Sequence, residues 1–161
     1  MTISIDNRTE WLEADGLGGY ASGTTCLQRT RRYHALLLTA TRPPIGRMVL
    51  VNGLEAWIET PAGRFAISSQ RYSPDVVDPD GASRIAGFEI EPWPKWSFCL
   101  PDGNELSQEI FVPHGSSACI VRWKRRVARG QHIAVQCIFD TDVIRSLHGI
   151  WGHHIGNADP G

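Results

Sequence analysis

Lys95-Trp96-Ser97-Phe98-Cys99-Leu100-Pro101-Asp102-Gly103-Asn104-Glu105-Leu106-Ser107-Gln108-Glu109-Ile110-Phe111-Val112 is the stretch that decides the fold. Trp96, Phe98 and Leu100 stand at alternate positions, the period of a strand with one buried face. Pro101-Asp102-Gly103 is a turn signal, and Leu106, Ile110 and Val112 share a face on the return arm. Downstream, Pro113-His114-Gly115 turns the chain into Ala118–Val127. Ala128-Arg129-Gly130 then turns it into a run where Ile133, Val135, Cys137 and Phe139 point one way. Upstream, a short apolar strand over Tyr33 to Thr41 lies between Arg31-Arg32 and Pro43-Pro44. Arg47 to Thr60 is rich in Val, Leu and Ile, with Asn52-Gly53 as a hairpin turn or a bulge. Pro61-Ala62-Gly63 precedes Phe65 and Ile67, which alternate with Arg64 and Ala66, and a polar stretch from Ser68 to Ser83 separates this half from the next. Apolar residues never keep helical spacing for three turns. The pattern predicts an all-β chain, an antiparallel β-sandwich over residues 1–143, followed by a Gly/His-rich tail, 144–161, poorly ordered or docked. The last strand ends near Asp142, where the meander stops with an open edge. This predicts a sandwich incomplete at its C-terminal end, or one that pairs with something else.

Composition narrows the function. The 161 residues carry 16 Lys+Arg against 17 Asp+Glu, a net charge of −1. Nucleic-acid binding needs clustered cations, so no nucleic acid is expected as a partner. Apolar runs such as Ala35-Leu36-Leu37-Leu38 fall far short of the roughly 20 residues of a membrane span, and no membrane partner is expected. The N-terminus lacks the basic and apolar regions of a signal peptide, so a cytoplasmic location is the default. A catalytic barrel of roughly 200 residues or more does not fit this length.

Cys26, Cys99, Cys119 and Cys137 form no CxxC pair, and reduced, buried thiols are expected. His148, His153 and His154 cluster in the tail, but a metal site there needs a fourth ligand and a rigid surround. A solvated tail is the expectation, with no metal and no cofactor.

The N-terminal 47 residues differ from the rest. Glu10-Trp11-Leu12-Glu13-Ala14-Asp15-Gly16-Leu17-Gly18-Gly19-Tyr20-Ala21-Ser22-Gly23-Thr24 is dense in glycine, as suits a loop with positive φ or close backbone approach. It lacks the Lys of a P-loop and opens no helix, which a dinucleotide site needs, so this loop is not expected to bind phosphate. Arg29-Thr30-Arg31-Arg32-Tyr33-His34 follows. Read as a strand, it projects Arg32 with His34 and Arg31 with Tyr33 to opposite faces. Guanidinium forks suit carboxylates or sugar hydroxyls, and Tyr and Trp faces suit sugar rings. Equally, the arginines can be surface cations paired with Asp6, Glu10 or Asp15.

These motifs together resemble a known family. Glu10-Trp11-Leu12, Asp15 to Thr24, Thr30-Arg31-Arg32-Tyr33-His34-Ala35-Leu36-Leu37 and Pro43-Pro44-Ile45-Gly46-Arg47 are similar to the N-terminal domain of bacterial and archaeal-type glycogen debranching enzymes, the amylo-α-1,6-glucosidase family. Gly87-Phe88-Glu89-Ile90, Pro92-Trp93-Pro94-Lys95-Trp96 and Glu109-Ile110-Phe111-Val112-Pro113-His114-Gly115 continue the resemblance, which covers roughly residues 8 to 127. Ala35 stands where the family usually has Gly, and Phe139 to His148 resembles the family's continuation only loosely. The resemblance implies a supersandwich-like β-domain preceding an (α/α)₆ barrel that carries the catalytic acids. It implies that the Gly-rich loop and the TRRYH segment lie near the barrel junction, bordering a glucan cleft.

Candidate substrate-binding or barrel-interface residues are therefore Trp11, Gly16, Gly18, Gly19, Tyr20, Ser22, Arg31, Arg32, Tyr33 and His34. The partners implied are an α-glucan, glycogen or starch-like, and the catalytic barrel in cis or as a separate chain. A glycosidase needs two carboxylates flanking the scissile bond. Asp140 and Asp142 share a strand face roughly 7 Å apart, but read better as strand-end charges. No catalytic residue is assigned, and these residues alone are expected to be inactive. Two alternatives are a stand-alone glucan-binding module with platforms among Trp11, Tyr20, Trp93 and Trp96, and a truncated remnant without independent activity.

Overall fold

The computed structural model describes residues 3–72, 74–125 and 132–139. β9 (Lys95–Cys99) and β10 (Glu105–Phe111) form the hairpin that the alternation predicts, with Phe98 opposite Leu106 and Trp96 opposite Gln108. Gly103 closes the turn by donating to the Leu100 carbonyl at 2.9 Å. Trp96, Phe98, Leu100, Leu106 and Ile110 are all buried. β8 (Ile85–Glu89) and β11 (Ile120–Arg125) flank the pair, giving one antiparallel sheet in the order β11-β10-β9-β8.

A second antiparallel sheet packs against it. It is built from β1 (Glu10–Ala14), β2 (Tyr20–Thr24), β3 (Leu37–Arg42), β4 (Ile45–Thr60) and β12 (His132–Phe139) in that order, with β5 (Gly63–Ala66) also on β4. Trp11, Ala21, Leu54, Ala56, Ile58 and Ile67 meet Phe88, Trp96 and Phe98 in one core. Trp96 is its centre, edge-on to Trp11 at 5.5 Å and tilted on Phe88 at 5.0 Å. Its Nε1–H donates to the Thr25 carbonyl at 2.7 Å, which ties the β9 strand to the chain leaving β2. Burying a ring of this size contributes about 4–6 kcal/mol before its ordering cost. The predicted all-β sandwich is therefore the architecture found.

β4 organises the second sheet. β3 pairs with its first half and β5 with its last residues along one edge, while β12 pairs along the other. Between β3 and β5 the edge is completed by side chains. Ser68 Oγ accepts from the Ala56 N–H at 2.8 Å, and Gln70 Nε2 donates to the Leu54 carbonyl at 3.2 Å. These bonds satisfy backbone groups that burial would otherwise leave unpaired.

The structure corrects four local expectations. The polar stretch from Ser68 to Ser83 is a hairpin, β6 (Ser69–Tyr72) with β7 (Val76–Asp80), followed by a 3₁₀ turn over Gly81–Arg84. Ser68, Ser69 and Gln70 are buried there, and their polarity hid it. Of the two readings expected for Asn52-Gly53, the bulge is the one found, inside β4: the β12 register passes from Gly53 to Val51 and leaves Asn52 out. The strand expected over Tyr33 to Thr41 begins only at Leu37. Cys99 is exposed on the far side of β9, whereas Cys26 is buried and Cys119 half-buried. β12 does not extend the β8–β11 meander but crosses to β4. Ala128-Arg129-Gly130, Asp140, Asp142 and the 144–161 tail lie outside the described residues, as does the Cys137 side chain. No helix among the described residues is long and apolar enough to cross a membrane.

Candidate functional site

The Gly-rich loop joins β1 to β2 and is organised by one buried carboxylate. Asp15 Oδ1 accepts the N–H groups of Leu17 at 2.6 Å and Gly19 at 2.9 Å. Its backbone donates to the Gly19 carbonyl at 3.1 Å and accepts from Gly115 at 2.7 Å. Gly18 sits at φ 100°, and a Cβ there would lie 2.7 Å from the Pro44 carbonyl oxygen. Gly16 lies against the His114 ring and Gly19 against Asp15 and the Leu38 carbonyl. With the Leu17 and Gly19 N–H groups spent on Asp15, the loop is a packed corner rather than an anion cradle.

Arg31 to His34 is a turn, closed by the His34 N–H donating to the Arg31 carbonyl at 3.1 Å. The expected strand alternation fails here because the chain reverses. Arg31 and His34 converge on one carboxylate, while Arg32 and Tyr33 point to solvent. That carboxylate is Glu10, at the start of β1. Arg31 Nε donates to Glu10 Oε1, and His34 Nε2 lies 3.6 Å from the same oxygen. The surface pairing of an arginine with Glu10 is thus realised at Arg31.

A groove of about 330 Å³ runs along this side of the turn. It brings together Trp11, Tyr20 and Ser22 from the first hairpin with Arg31, Arg32, Tyr33 and His34 from the turn. Glu10 and Leu12 complete it, and neither was singled out as a site residue. Their signal was the period of β1, which sets Glu10 and Leu12 opposite the buried Trp11. Gly16, Gly18 and Gly19 do not line this groove.

The electrostatics are set by these contacts. The Arg31 hydrogen bond holds Glu10 below the usual carboxylate range, so it stays ionised at neutral pH. Burial pulls His34 below the ordinary imidazole value, with the Glu10 charge opposing. His34 Nδ1 accepts from the Thr30 N–H at 3.1 Å, so the neutral ring carries its proton on Nε2, toward Glu10. Both ring nitrogens and the carboxylate are occupied by their neighbours. What the groove offers a partner is an exposed Tyr33 and Leu12, a half-buried Tyr20 and two guanidinium groups. Arg32 stacks 5.5 Å over the Tyr33 ring. Such surfaces suit sugar rings and hydroxyls or a protein face.

The aromatic platforms of the binding-module alternative separate on burial. Trp96 and Trp11 are core residues, and Tyr20 is half-buried in the groove. Trp93, in the loop before β9, lies against the other sheet, 5.0 Å from Phe111, with Arg122 5.8 Å over its ring. Its Nε1 donates to Glu109 at 3.3 Å. Burial would push Glu109 up, but bonds from Arg122, Lys124 and Trp93 hold it low. This is a structural ion cluster that the sequence reading missed, because an acid on a strand reads as solvated.

A family model described as glycogen debranching enzyme N terminal matches residues 9–142. No curated protein and no solved structure gives a significant match.

Proposed function

The chain belongs to the glycogen debranching enzyme N-terminal family, and from that membership we propose that it is a non-catalytic domain supporting α-1,6-glucosidic cleavage at glycogen branch points. In this reading it shapes the glucan cleft beside an (α/α)₆ barrel that supplies the acid and base, and it works in the cytoplasm. The observation that carries the proposal is the groove along the Arg31–His34 turn. Its exposed Tyr33 and Leu12 sit beside Arg31 and Arg32, while the carboxylate in its lining, Glu10, is held ionised by Arg31. Hydrolysis needs one carboxyl group to donate a proton and a second to act as base or nucleophile. A groove whose one lining carboxylate among the described residues is paired with Arg31 fits positioning rather than bond cleavage.

The test uses the chain together with a separately expressed (α/α)₆ barrel of this family. The domain is expected to bind the barrel and to raise its kcat/KM on branched glucan, and Tyr33→Ala or Arg32→Ala to weaken both effects. A domain that ignores the barrel yet is retarded by glycogen in native gels, with Tyr33→Ala abolishing the retardation, would establish the stand-alone binding module instead. The 54% exposure of Tyr33 is what keeps that second reading in play.

A further inference from the structure

The turn that borders the groove has a second concave side, and its chemistry differs. A cavity of about 420 Å³ is walled by Arg29, Arg31, Arg32 and Arg71, with Asn52 and Tyr72 beside them. The acids bonded to this wall are already engaged. Glu10 is held by Arg31, Asp75 by Arg71 at 2.8 Å and Glu55 by the Tyr72 hydroxyl at 3.1 Å. No acidic residue lines the cavity among the described residues. Two guanidinium groups are left without a carboxylate among the described residues. Arg32 stacks on Tyr33, and Arg29 donates from Nη1 to the neutral Gln70 amide oxygen at 2.8 Å.

Arg29 is the more telling of the two. Its guanidinium lies so close over Gly53 that a Cβ at that position would overlap it, so the missing side chain of Gly53 makes room for this cation. Burial lowers it to about 10, which still leaves it charged at neutral pH. Arg29 is half-buried, and a partly desolvated charge whose hydrogen bond goes to a neutral amide gains most from an anion brought beside it.

We propose that this cavity binds the phosphate group of a small ligand, with Arg29 as its anchor. A phosphate monoester carries about −1.5 to −2 charge at pH 7, and its oxygens match forked guanidinium donors. A neutral glucan would leave those charges uncompensated. Tyr72, 49% exposed, and the Asn52 amide line the same cavity and offer a ring face and hydrogen bonds to a sugar carried by the phosphate. The cavity shares Arg31, Arg32 and His34 with the groove, but Arg29 and Arg71 line it alone and Tyr33 lines the groove alone. This site is therefore probed with phosphate and read at Arg29 and Arg71, whereas the groove is probed with glucan and barrel and read at Tyr33.

The experiment is calorimetric titration of the chain with inorganic phosphate, glucose 6-phosphate and glucose at matched ionic strength. Saturable one-to-one binding is expected for both phosphate probes and not for glucose. Arg29→Gln is expected to weaken it by at least about tenfold and Arg71→Gln by several-fold. Arg64→Gln, whose guanidinium stacks on Trp57 at 4.4 Å elsewhere, is expected to leave it unchanged. If Arg29→Gln fails to fold, Arg71→Gln, which lines this cavity and not the groove, carries the test. Tighter binding of glucose 6-phosphate, lost in Tyr72→Ala, identifies a phosphorylated sugar as the ligand. Equal affinities identify the free anion. Non-saturable heats, or binding that survives in Arg29→Gln and Arg71→Gln, overturn the proposal.

Discussion

Trp96→Phe tests the centre of the core and its link to the site. The residue has 0% exposure, so the substitution opens a void the size of the lost ring atoms. At ~0.8 kcal/mol per methylene equivalent this costs about 1–2 kcal/mol. The Thr25 carbonyl, which accepts from Nε1 at 2.7 Å, is left buried and unpaired. An orphaned acceptor costs about 1–3 kcal/mol more, so the total is about 2–5 kcal/mol. For a domain of this size each kcal/mol shifts Tm by about 2–4 °C, which gives a fall of about 10 °C. Calorimetry on wild type, Trp96→Phe and Trp93→Phe checks it. Trp93 makes the same kind of bond to Glu109 at 3.3 Å, but Glu109 keeps Arg122 and Lys124, so that variant is expected to lose under a third as much. Thr25 follows Thr24, whose N–H and Oγ1 both bond the Gln28 carbonyl at the base of the Arg31–His34 turn. Trp96→Phe is therefore expected to speed hydrogen exchange at the His34 amide as well. Equal Tm losses in the two variants, or a loss under about 2 °C for Trp96→Phe, would refute the central role given to this bond.

Three further outcomes are expected. Burial lowers His34, so the unfolded chain binds the extra proton first; its contribution to stability is complete above about pH 6.5 and is lost as pH falls below that. Wild type should therefore lose more Tm on mild acidification than His34→Gln, and identical slopes would exclude His34 as the titrating group. Gly18→Ala places a side chain at φ 100° and 2.7 Å from the Pro44 carbonyl oxygen, and is expected to cost about 1–3 kcal/mol in denaturant unfolding. Thiol labelling of the native protein should modify the exposed Cys99 and spare Cys119, whose thiol burial pushes up to about 12; labelling of Cys119 before unfolding would contradict its packing.

Much of the fold was readable because alternation reports burial directly. Trp96, Phe98, Leu100, Leu106 and Ile110 all face the core as their spacing predicts. The failures share a cause. Ser68, Ser69 and Gln70 are buried although polar, because their side chains take the place of a neighbouring strand on β4. Glu109 is buried because two cations and an indole reach it from β11 and the loop before β9. Polarity shows what a side chain can bond, and only its neighbours show whether it does so inside the protein. The site was partly legible for the same reason. The Arg31-Arg32-Tyr33-His34 cluster was visible as residue types, but its facing was misjudged because strand alternation was assumed across a turn.

The sequence by itself determined the all-β class, the hairpin at 95–111, and a motif series specific enough to resemble one family. These are local properties: alternation, turn residues and linear order survive without knowing what packs on what. Only the tertiary structure decided that β12 crosses to β4, that Glu10 gathers Arg31 and His34, and that Arg29 packs over Gly53 without a carboxylate among the described residues. Each of these joins residues far apart in the chain. Their energies depend on distance and solvent exclusion, quantities that a linear string of residue types does not contain.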